Sequence, residues 1–148
     1  MRRTPAGFTL LELLIAIALA GALSGLALPD LRRTLADWRL SAAARQVVMD
    51  LKLARAHAIA GGATQRVRFA LGAASYQRER RQGAAYRAAA PPTRLPDGVI
   101  VADCSAAGDA IGFRPRGLAA SFGTVVLRDD RGSERRVIVD IAGRMRVS

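Results

Sequence analysis

One cysteine, one histidine, one lysine and seven aromatic residues are all that this chain of 148 residues holds of those types. The lone Cys104 excludes an intrachain disulfide and any multi-cysteine metal site. His57 has no metal ligand three or four residues along its helix, so it reads as a surface or packing histidine. Asp97, Asp103 and Asp109 share a loop-rich stretch, but their spacing matches no EF-hand loop; they read as solvated carboxylates. No Ser/His/Asp or Cys/His pattern surrounds these residues. The sequence therefore predicts no enzyme, no cofactor and no metal. Hydrophobic residues make up 51% of the chain and aromatics only 5%, much of the rest being alanine, which predicts a small aliphatic core. Acidic residues are scarce too: 12 against 23 basic, a net charge of +11. With 22 arginines and only Lys52 as lysine, this bias fits a GC-rich genome as well as a charged partner. No tandem repeat is present, and no helix-length pattern follows residue 62.

What the chain does have is one long apolar run. Phe8 to Leu28 is 21 residues, about 30 Å of helix, the thickness of a bilayer core. Arg2 and Arg3 precede it and place the N-terminus in the cytoplasm by the positive-inside rule. A cleaved signal peptide would carry its small-residue site after a shorter run. Here that site, Ala6-Gly7, comes before, so the segment reads as a retained anchor. Only Glu12 interrupts the run, and a carboxylate in such a helix is costly unless paired.

"GFTLLELL" resembles the prepilin peptidase site of type IV pilins and type II secretion pseudopilins. The resemblance implies cleavage between Gly7 and Phe8, N-methylation of Phe8, and a role in assembly for Glu12, which would neutralise the new amine of a neighbouring subunit. A glutamate one turn inside the run can also snorkel to the cytoplasmic interface, before assembly or instead of pairing.

Pro29-Asp30 ends the run and predicts a kink at Pro29. Helical periodicity then resumes in two sets, Leu31, Leu35, Trp38 and Ala42, and Leu40, Ala44, Val47, Leu51, Ala54 and Ala58. One kinked helix from about Phe8 to Ala60 follows, stopped by Gly61-Gly62. "RLSAAARQVVMDLKLARAHAIAGG" resembles the stem helix of the GspH/FimT branch of pseudopilins. Beyond it the period changes to two. "TQRVRFAL" puts Val67, Phe69 and Leu71 on one face, and "ASYQRER" completes a hairpin. "QGAAYRAAAPPTRLPDG" reads as a loop. Residues 99–102, 110–113, 124–129, 135–141 and 143–147 read as strands. The expected fold is α+β and type IV pilin-like: a long kinked N-terminal helix packed on an antiparallel β-sheet head. Its expected parts are a leader (1–7), a membrane or filament-core helix (8–29), an amphipathic stem (30–62) and a periplasmic β-rich head (63–148).

Two functions follow from the resemblance. The first is an H-type minor pseudopilin near the tip of a periplasmic pseudopilus in type II secretion. It would be anchored in the bacterial inner membrane, processed by prepilin peptidase and partnered by other major and minor pseudopilins. The second is a FimT-like minor pilin that captures DNA in transformation through a Gly-Arg-any-Arg ending. Gly143, Arg144, Met145 and Arg146 match that ending, and on a strand Arg144 and Arg146 would share a face opposite Met145 and Val147. Arg114, Arg116, Arg128, Arg131, Arg135 and Arg136 would extend the patch on a head segment, residues 30–148, that carries 21 basic and 11 acidic side chains. The cysteine pair common in FimT-like heads is missing.

Overall fold

The computed structural model describes residues 9–148, except that residues 22–30 are described only by their place in a helix. The leader 1–7, the Gly7-Phe8 junction and the expected kink at Pro29 lie outside the described residues. The chain divides into two compact units, one ending at Leu35 and one running Ala36–Ser148.

Helix α1 spans Leu10–Gly61. At its start the Glu12 amide donates to Thr9 Oγ1 at 3.2 Å, the bond of an N-cap threonine to the third helical residue. Leu10, Leu11, Leu13, Leu14, Ile15, Ile17 and Leu19 are all exposed. Apart from Glu12 this segment is apolar on every side, and such a helix belongs in an apolar surround, either lipid or other helices. Among the described residues no helix is long and apolar enough to cross a membrane. The run read from the sequence draws on Phe8 and on residues 22–28, which are outside that description.

In the second unit the helix carries a stripe at three- and four-residue spacing: Leu40, Ala43, Ala44, Val47, Leu51, Ala54 and Ala58, all buried. Four of the seven are alanines, so the helix backbone can lie close to the sheets. The helix stops as Gly62 turns left-handed (φ +59°), a conformation glycine adopts without a Cβ penalty.

Ten strands follow: β1 (Gln65–Phe69), β2 (Ser75–Gln82), β3 (Ala85–Ala88), β4 (Thr93–Arg94), β5 (Val99–Cys104), β6 (Ala110–Phe113), β7 (Ala119–Ser121), β8 (Gly123–Asp129), β9 (Glu134–Val139) and β10 (Met145–Val147). They form two antiparallel sheets. One has the order β3-β2-β1-β6-β7, with β4 also paired to β2; the other is β10-β9-β8-β5. Val67, Phe69, Tyr76, Ile111 and Phe113 of the first sheet join Val99, Val101, Val125, Leu127, Val137 and Val139 of the second and the helix stripe in one core cluster. Tyr76 Oη donates to Asp50 Oδ2 at 2.7 Å and fastens β2 to the helix. Burial, and then the neighbouring Asp50, push the phenol far above its ordinary pKa.

The α+β architecture is the expected one, with four local corrections. Leu31 and Leu35, in the first unit, are exposed; in the second, Trp38 and Ala42 are exposed rather than buried, Trp38 at 70%, because the sheets cover the other stripe. Leu71 is exposed because it lies past the end of β1 in the turn to β2. The stretch read as a loop contains β3 and β4, held by backbone pairing to β2. The short β7 was not foreseen in the sequence.

Candidate functional site

The residues singled out for function fall at two places among the described residues. Near the N-terminus, Glu12 occupies the third position of α1, capped by Thr9. A threonine and a glutamate three residues apart are the capping-box pair, and a negative charge there is favoured by the helix dipole by about 0.3–1 kcal/mol. Glu12 therefore has a part in its own helix as well as any part in assembly.

The second place is the C-terminal hairpin. Arg144 lies in the turn before β10, not on the strand. Asp140 organises that turn. Its carboxylate accepts from the Arg144 amide at 2.9 Å and from Arg144 Nε at 2.6 Å. The Arg144 backbone bond and then its side chain hold Asp140 below the ordinary carboxylate range. Gly143 sits at φ +76°, and a Cβ there would stand 3.0 Å from the Gly117 carbonyl oxygen. Arg55 of the helix donates to the Gly143 carbonyl at 3.2 Å. The Gly-Arg pair is thus explained by a tight turn pinned against the helix. Arg146 is exposed and lines a shallow groove with Ile138, Asp140, Arg144 and Met145. Met145 touches the core, whereas Val147, on the edge strand, is about half exposed.

The wider arginine patch is also thinner than its count. Arg128 and Arg136 pair with Glu134, Arg131 with Asp129 and Asp37, and Arg144 with Asp140. Each carboxylate comes from the same turn or hairpin as the arginine it pairs with, save Asp37, which reaches Arg131 from the helix. Arg114, Arg116, Arg135 and Arg146 make no ion pair among the described residues.

Asp129 is the most buried of these acids, its side chain 2% exposed. It accepts from the amides of Arg131 (3.0 Å) and Ser133 (2.7 Å) and from the Arg131 guanidinium, which also reaches Asp37 Oδ1 at 2.9 Å. Burial raises its pKa, but the Ser133 amide and the Arg131 bonds outweigh that and hold the carboxyl below its usual range. This network clips the β8–β9 turn to α1. Sequence reasoning saw the turn but not the clip, and it missed Arg55 altogether.

Cys104 is buried at the end of β5, and burial raises its thiol pKa. His57 is exposed on α1. Asp97, Asp103 and Asp109 are in a turn, on β5 and in the short turn after it. Among the described residues no three His, Cys, Asp or Glu side chains come together.

A capped helix start that is apolar but for Glu12, continuing into a stem packed on two antiparallel sheets, defines a pilin-like subunit. More narrowly, the chain belongs to the family described as Type II transport protein GspH, which it matches over residues 43–143. Residues 2–28 match the prokaryotic N-terminal methylation motif. Two solved structures of the minor pseudopilin EpsH from the type II secretion system of Vibrio cholerae share the fold. One has a TM-score of 0.62 at 16% identity and covers 74% of this chain and 96% of that one. The other has a TM-score of 0.63 at 15% identity and covers 76% and 94%. No curated protein sequence matches the chain.

Proposed function

We propose that this chain is an H-type minor pseudopilin of a type II secretion system, a structural subunit of the periplasmic pseudopilus used in export across the outer membrane. One observation carries the reading: a methylation motif over residues 2–28 and a GspH match over residues 43–143 stand in one chain, in that order. The parts then take their roles. Residues 1–7 are a leader removed by prepilin peptidase, and residues 8–29 are the membrane and filament-core helix. Residues 30–62 are the stem, and residues 63–148 are the periplasmic head. Phe8 becomes the mature N-terminus, Pro29 bends the helix, and Glu12 pairs with the amine of a neighbouring pseudopilin. The DNA-capturing alternative is not favoured: the family match is to GspH, and Asp140 offsets the charge of Arg144.

Intact-mass and N-terminal peptide spectra of the protein isolated from membranes test the processing. The expected product starts at Phe8 and carries one added methyl group. A product starting after Leu28, or an uncut chain, would overturn the reading.

A further inference from the structure

The first sheet carries a second arginine cluster, distinct from Arg144 and Arg146, on the side of the β6–β7 turn whose Gly117 meets Gly143 of the C-terminal hairpin. At one end of its outer face, neighbouring strands set Tyr86, Arg81, Thr64 and Arg114 side by side. Arg81 is paired with Tyr86, the Arg81 amide donates to the Thr64 carbonyl at 2.8 Å, and the β1–β6 register continues from Gln65 and Phe113 to Thr64 and Arg114. Arg116, in the β6–β7 turn, completes a cleft of about 570 Å³. Arg81, Arg114 and Arg116 are exposed, and none has a carboxylate partner among the described residues. Arg81 uses only its Nε, toward the Gly83 carbonyl at 3.0 Å. Elsewhere on the head Arg66, Arg128, Arg131, Arg136 and Arg144 each face an acid. Three unpaired guanidiniums in one concavity repel each other and focus a positive potential that an incoming anion would relieve.

We infer that this cleft is a docking site for a carboxylate-rich segment of a partner protein. Arg81 and Arg114 lie two strand spacings apart, about 10 Å, and their long side chains can take up two acids at alternate positions of an extended chain, about 7 Å apart. Guanidinium and carboxylate match in bidentate geometry. Nucleic acid fits less well. Its usual stacking platform would be Tyr86, but the Arg66 guanidinium already lies 3.6 Å from that ring's centre. Duplex binding gains its strength from phosphates along an extended face, and one short row does not offer that length. The site does not depend on Glu12 or on leader processing.

The test uses the full chain in detergent micelles and a fluorescein-labelled hexaglutamate peptide, read by anisotropy near physiological salt. Binding is expected, and the triple variant R81Q/R114Q/R116Q should weaken it by at least about tenfold, a loss of two to three charge-assisted bonds. The corresponding lysine triple should keep only part of it, since lysine retains the charge but not the bidentate geometry. R144Q/R146Q should leave it unchanged. All these side chains are exposed, so melting temperatures should stay with the parent, and single glutamine variants should each show part of the loss. No peptide binding, or equal losses at the cleft and at the C-terminal pair, would overturn the inference. So would tighter binding of a labelled oligonucleotide through the same three arginines.

Discussion

Glu12→Gln is expected to leave the subunit inserted in the membrane and its head folded, yet to exclude it from the assembled pseudopilus. The substitution is chosen because Glu12 has two separable parts. Its backbone and its place three residues after Thr9 belong to the helix cap, and glutamine serves at that position as glutamate does. Its charge is what the proposed pairing with a neighbour's amine requires. Removing one member of an ion pair in an apolar surround costs about 3–5 kcal/mol, at least a hundredfold in an assembly equilibrium. Chemical crosslinking to neighbouring pseudopilins in cells expressing the variant, followed by immunoblotting, reads the outcome. Normal incorporation of Glu12→Gln, with loss only in Thr9→Ala, would reduce Glu12 to a capping residue.

The second large effect is on the head. Asp129→Ala should lower its stability by about 1–2 kcal/mol, because two part-buried backbone amides and the Arg131 guanidinium lose one shared acceptor. The same carboxylate makes stability depend on pH. Its folded pKa lies below the unfolded value of about 3.9, so the folded head binds fewer protons than the unfolded chain through that range. Its contribution is present in full above the unfolded value and is lost as pH falls through the folded one. Glu134, held low by Arg128, and Asp140, held low by Arg144, act in the same direction. Thermal melts should therefore be flat from neutral pH to about 5 and fall below about 4. Asp129→Asn keeps an acceptor for the amides, so it should cost less than alanine while flattening part of the acid limb. Identical acid limbs in parent and Asn variant would contradict this assignment.

The helix stripe from Leu40 to Ala58 was legible because a period of 3.6 writes burial directly into spacing. Trp38 and Ala42 carry the same spacing and are exposed. Periodicity names the apolar faces of a helix, but only the position of the sheets decides which one is covered. The central strands were legible for the same reason, as in Val67 and Phe69 of β1. The strands β3, β4 and β7 were not: they are two to four residues long, rich in alanine or flanked by proline, and held by backbone bonds that leave no pattern in side chains. Near the N-terminus, the methylation motif over residues 2–28 could be read because its parts are local. The contacts Arg55 to Gly143 and Asp37 to Arg131 join residues 88 and 94 positions apart, and no local spacing announces them. The Asp140–Arg144 turn was within reach, four residues apart, but the arginines were read as a strand face and their acid was overlooked.

Export in a strain lacking this gene tests the central claim most directly. The assay measures an exoprotein of the type II system in culture medium and in periplasm, with DNA uptake scored in parallel. If the chain is a minor pseudopilin, the exoprotein should accumulate in the periplasm and the wild-type gene should restore its release, with DNA uptake unchanged. Undisturbed export together with a loss of DNA uptake would contradict the account and return the chain to the DNA-capturing pilins.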